Sequence, residues 1–100
     1  MEKISENKEY KKILKELGPF KEDKRSFYHF VMFGSEGVEG YKVVRDETEM
    51  ANGDIMAMKL RARFNSHRNI EVHAFKSDVL IPSECITKKF LKSIKTVKLY

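Results

Sequence analysis

From Met56 to Phe64 the chain alternates without a break: Met56, Met58, Leu60, Ala62 and Phe64 stand against Ala57, Lys59, Arg61 and Arg63. A period of two sends successive side chains to opposite faces of an extended chain. The segment therefore predicts a strand with methionine, leucine and phenylalanine in a core and cations in water. Asn69 to Lys76 repeats the pattern, with Ile70, Val72 and Ala74 inward and Glu71, His73 and Phe75 outward. A turn over Asn65 to Asn69 makes the two an antiparallel pair. Keeping both apolar sets on one face sets Phe64 opposite Ile70, Ala62 opposite Val72 and Leu60 opposite Ala74. Arg63 then meets Glu71 on the outer face, Arg61 meets His73, and Lys59 meets Phe75.

The remaining elements follow from similar signals. Tyr10, Ile13, Leu14 and Leu17 fall at i, i+3, i+4 and i+7, one apolar helical stripe, and Gly18-Pro19 stops it, so a helix is predicted over about residues 6 to 17. Ser26 to Phe33 is apolar or aromatic on both faces, as in a well-covered strand. Gly34 to Gly40 carries three glycines and reads as a loop, and Tyr41 to Arg45 starts a second strand. Asn52-Gly53 is a hairpin-turn dipeptide that, if tight, places Asp46 opposite Lys59 but turns Glu47 and Glu49 toward the face of Met58 and Met56. Either the acidic tip projects beyond the core, the favoured reading, or a bulge shifts the register, or Asp46 to Asp54 is a longer loop. Pro82-Ser83 opens a last helix, with Ile86, Phe90, Ile94 and Val97 along one side and Lys88, Lys92 and Lys95 along another. The predicted fold class is α+β, a two-layer sandwich. A four-stranded antiparallel meander carries an N-terminal and a C-terminal helix on one face, in the order α-β-β-β-β-α.

A chain of 100 residues, 41% hydrophobic, is large enough for one domain over residues 1–100 and too small for two. No apolar run approaches the ~20 residues that span a bilayer. The charged start lacks a secretory apolar segment, and the single cysteine, Cys85, has no disulfide partner. A cytoplasmic location and no membrane partner are the expectations. His29, His67, His73 and Cys85 have no metal-ligand spacing, so neither a metal nor another cofactor is expected. The acidic run Asp46-Glu47-Thr48-Glu49 with Asp54 offers oxygens to a divalent cation but matches no loop with a defined ligand register.

Charge gives the functional lead. Residues 59 to 100 hold ten Lys or Arg against three Asp or Glu, a surplus of +7 on a chain whose total is +5. Concentrated positive charge points to a polyanion. The candidate nucleic-acid contacts are Lys59, Arg61, Arg63 and Arg68, with His73 and Phe75 as stacking surfaces beside them, and Lys88, Lys89, Lys92 and Lys95 on the last helix. The group Lys88-Lys89-Phe90-Leu91-Lys92 resembles in spacing the Lys-Lys-x-x-Lys of double-stranded-RNA-binding domains, and the order helix, strands, helix agrees with that family. Pro82-Ser83-Glu84-Cys85 replaces that family's glycine-rich approach, and Phe90, Leu91 and Ile94 replace its small alanines. The resemblance implies a class of partner and no membership.

The leading expectation is a small, basic, non-catalytic protein that binds nucleic acid, RNA in preference to DNA. The alternative is a protein-binding modulator or inhibitor, of the accessory or phage kind, anchored by the acidic tip or by Phe20, Phe75 and Tyr100. The opposed acidic and basic stretches also allow a homodimer. A more remote reading is a metal-independent ribonuclease, for which His67, His73 and Lys59 are the set able to converge.

Overall fold

The computed structural model describes residues 8–23, 25–50 and 54–100. Helix α1 spans Lys8–Leu17. It buries Tyr10 and Ile13, packs Leu14 and Leu17 against the same core, and ends at Gly18, whose φ of +89° suits glycine and whose N–H donates to the Leu14 carbonyl at 3.0 Å. Strands β1 (Phe27–Gly34) and β2 (Gly37–Val44) form a hairpin about Ser35-Glu36. The turn closes through Gly37 at φ +119°, a backbone state that side chains rarely adopt. The glycine-rich stretch expected as a loop is therefore largely β2, with a bulge opposite Met32 and Phe33.

The segment predicted as the third strand is a helix. A short helix α2 (Glu47–Met50) leads into α3 (Asp54–Phe64), and neither contributes to the sheet. The Asn52-Gly53 turn lies outside the described residues, and the segments expected as strands on either side, Glu47–Met50 and Asp54–Phe64, are helical. Asp46 is the start of α2 and not a strand residue facing Lys59. Its carboxylate accepts the Glu49 N–H at 2.9 Å, while the Glu49 carboxylate accepts the Arg45 N–H at 2.7 Å, a reciprocal arrangement close to a capping box. Asp46 and Glu49 of the acidic run are thus engaged at the start of a helix.

Strand β3 (Glu71–Ser77) pairs with β1, not with residues 60–64. The register sets Phe30 opposite Ala74, Met32 opposite Val72 and His29 opposite Phe75. A two-residue strand β4 (Val97–Lys98) adds to the far edge of β3, giving an antiparallel sheet ordered β2-β1-β3-β4. The observed order is α-β-β-α-α-β-α-β, in place of α-β-β-β-β-α.

Both faces of the sheet are covered. Tyr28, Phe30, Met32, Val72 and Ala74 face α1, α2 and α3 through Tyr10, Ile13, Met50, Ile55, Met58 and Ala62. Val31, Phe33 and Phe75 face the segment between β3 and β4 through Ile86, Leu91, Ile81, Phe90 and Ile94. The expected last helix is shorter than predicted. A 3-10 turn (Ser83–Cys85) precedes helix α4 (Lys88–Ser93), which packs on the face opposite α1. The protein is α+β with a four-stranded antiparallel sheet, but its helices occupy two layers and not one. The physical reason lies in β1, whose apolar side chains on both faces demand two covers. No helix among the described residues is long and apolar enough to cross a membrane.

Candidate nucleic-acid interface

Helix α4 is built by one side chain. The Thr87 hydroxyl accepts the Phe90 N–H at 3.1 Å, capping the helix, and the buried Leu91 with the partly buried Phe90 pins it to the sheet. Phe90 meets Phe75 edge to face at 5.6 Å. With that face turned inward, Lys88, Lys89 and Lys92 are left in solvent.

Lys88 and Lys92 border a cleft of ≈ 400 Å³ whose other walls are Phe33, Glu71, His73, Leu91 and Thr96. His73 is oriented from both sides: Nε2 lies 3.0 Å from the Glu71 carboxylate and Nδ1 3.4 Å from the Thr96 hydroxyl. Glu71 also meets Lys98 at 3.0 Å. Hydrogen bonds from His73 and then Lys98 hold the Glu71 carboxyl below its ordinary range, so it stays ionised and occupied. The cleft thus combines two lysines with no ion pair among the described residues, an oriented imidazole, a hydroxyl and the apolar edges of Phe33 and Leu91. Such a set can hold a phosphate beside a flat apolar group.

The predicted residues divide. His73, Lys88 and Lys92 come together, with Lys89 on the same helix. Lys95 lies past α4 in a separate depression of ≈ 450 Å³ that Glu16 and Leu17 of α1 also line, where Lys21 is bound to Asp78 at 2.6 Å and Lys76 donates to the Pro19 carbonyl at 2.8 Å. Phe75 is not an exposed stacking surface. It is buried, stacked on His29 at 4.5 Å with the rings 2° from parallel and covered by Phe90. Lys59, Arg61 and Arg63 are on α3, which packs on the other face of the sheet. Lys59 is ion-paired with Glu9, and Arg68 with Glu39. Arg61 and Arg63 are exposed.

Lys59 and His73 sit on opposite sides of the sheet, and His67 lies exposed in a 3-10 turn after α3, so the three groups named for ribonuclease chemistry do not converge. No cluster of three or more potential metal ligands occurs among the described residues. Cys85 is exposed in the 3-10 turn, not in the first turn of a helix.

Sequence reading missed Thr96 and Phe33 as cleft walls, because elements distant in sequence bring them there. The Glu71 and His73 contact was legible, since residues two apart on a strand share a face. No protein-family model matches this chain, and neither a curated protein nor a solved structure shows significant similarity to it.

Proposed function

We propose that this protein binds nucleic acid, single-stranded RNA in preference to DNA, through Lys88, Lys89 and Lys92 of α4 and Lys95 beyond it. The cleft beside His73 receives a backbone phosphate. The observation that carries this reading is that Lys88 and Lys92, exposed and without an ion pair among the described residues, border the cleft that holds His73 and Thr96. Lys89 on the same helix and Lys95 beyond it are likewise exposed and make no ion pair among the described residues, whereas Lys21, Lys59, Arg68 and Lys98 are each engaged by a carboxylate. Unpaired cations beside such a cleft neutralise phosphates and release their counterions.

A single strand suits the site better than a duplex. Helix α4 has six residues and is held down by Phe90 and Leu91, so it has no length to lay into a major groove. An unstacked base fits against the edges of Phe33 and Leu91, and the Thr96 hydroxyl supplies a hydrogen-bonding group for a 2′-hydroxyl. Function here is binding and not catalysis.

The test is fluorescence anisotropy with labelled single-stranded RNA and DNA at two ionic strengths. Four phosphate contacts predict a slope of log K against log salt of about −3. The pair Lys88→Glu and Lys92→Glu weakens binding strongly and flattens that slope, while Arg61→Glu with Arg63→Glu leaves both nearly unchanged. Equal effects of the two pairs, or no complex at low salt, refute the reading.

A further inference from the structure

Helix α3 carries a second apolar face that the fold leaves uncovered. A step of two residues on a helix turns by about 200°, so side chains that alternate along the sequence divide between opposite sides. Ile55, Met58 and Ala62 are buried against the sheet. Met56, Leu60 and Phe64, at i, i+4 and i+8, form a stripe nearly opposite and are 48%, 45% and 82% exposed. These are large side chains in a row, not isolated surface residues. Arg61 borders the stripe on one side, and Arg63 with Lys59 on the other, as the same helical geometry requires. A shallow groove of ≈ 150 Å³ lined by Tyr41, Lys42, Ala57, Met58 and Arg61 runs beside it.

We infer that the outer face of α3 is a docking surface for a partner protein presenting an amphipathic helix whose apolar stripe is flanked by carboxylates. Charge selects this occupant. Two exposed guanidinium groups straddling an apolar stripe match acidic residues at the edges of a partner's stripe, in the helix-in-groove manner. A second copy of this chain fits poorly. Antiparallel packing about Leu60 brings Arg61 of one copy to Lys59 of the other, so like charges meet where the partner's carboxylates would sit. The inference is independent of the α4 reading, because α3 and α4 pack on opposite faces of the sheet.

The probes are two synthetic helical peptides with the same leucine stripe, one flanked by glutamates and the other by lysines. Each is titrated onto the whole chain and followed by anisotropy and by the methyl resonances of Met56 and Leu60. The glutamate peptide shifts those methyls and binds at least about tenfold more tightly than the lysine peptide. Leu60→Gln with Phe64→Gln removes this binding while RNA affinity and thermal stability hold, and Arg61→Glu with Arg63→Glu inverts the preference. Equal binding of both peptides, unshifted methyls, or a sedimenting dimer that Leu60→Gln dissolves overturns the assignment.

Discussion

Replacing His29 by glutamine should remove an acid sensitivity of the fold that the wild-type protein displays well above the carboxylate range. His29 stands in a central strand, fully buried, with its ring stacked on Phe75 at 4.5 Å and tilted against Tyr41 at 6.1 Å. Its Nε2 accepts the Ile81 N–H at 3.2 Å, so the neutral ring carries its proton on Nδ1, which has no hydrogen-bond partner among the described residues. Burial pushes the imidazole below its ordinary value of 6.5, against a weaker opposing pull from the backbone of Phe27 and Phe75. The sign follows from proton counting. Below about pH 6.5 the unfolded chain binds a proton at this residue that the native state refuses, so stability is full above that pH and falls as the solution is acidified. The loss reaches up to about 1.4 kcal/mol per pH unit until the depressed native value is passed. For a domain of this size that is roughly 6–11 °C in Tm.

The assay is thermal or urea denaturation followed by circular dichroism, in steps from about pH 8 to about pH 5. Glutamine can still accept from the Ile81 N–H but does not titrate. His29→Gln is therefore less stable than wild type at neutral pH, by about 0.5–1.5 kcal/mol for the lost ring stacking alone, and flat across the interval where the wild type declines. Glu9, Glu71 and Asp78, all held below their ordinary values, lose their contributions only at lower pH. A wild type with no decline, or a glutamine variant that keeps the slope, would falsify the account of a neutral buried imidazole.

Thr87→Ala removes the cap of α4 and should cost about 1 kcal/mol in denaturation, with RNA affinity falling in step because Lys88 and Lys92 lose their fixed spacing. Gly37→Ala places a side chain at φ +119° with open space around it, so backbone strain alone should destabilise the hairpin by about 1–2 kcal/mol in the same assay. Glu71→Gln removes the one carboxylate of the cleft, and anisotropy at low salt should show tighter RNA binding; weaker binding would mean that the orientation of His73 matters more than charge.

The fold was legible where pattern and propensity agreed. Tyr10, Ile13, Leu14 and Leu17 followed by Gly18-Pro19 gave α1, and the run from Phe27 to Phe33 gave β1. Helix α3 was misread because two rules conflicted. The alternation from Met56 to Phe64 suggested a strand, yet Met, Ala, Lys, Leu and Arg are strong helix formers, and no β-branched residue occurs between 56 and 64. Alternation with that composition describes a helix with two apolar sides. The last helix failed in the opposite way. Its apolar spacing ran on to Val97, but Ile94, Thr96 and Val97 are β-branched, and the chain leaves the helix after Ser93 to pair with β3.

The site was half legible for a reason contained in β1. A strand apolar on both faces cannot belong to a sheet with a solvated side, so the outward face imagined for His73 and Phe75 had to be covered by some later segment. The segment between β3 and β4 supplied the apolar residues, Ile81, Ile86, Phe90, Leu91 and Ile94, and Phe75 was buried beneath them. The same requirement sends α3 to one face of the sheet and α4 to the other. Positive charge that is contiguous along the last 42 residues is therefore divided in space. Arg61 and Arg63 flank an apolar stripe, while Lys88 and Lys92 flank a cleft holding an imidazole and a hydroxyl. Cations beside exposed hydrophobic groups suit a protein surface, and cations beside hydrogen-bonding groups suit a phosphate. Reversing either pair should consequently leave the other pair's binding intact, an independence that a single electropositive patch does not allow.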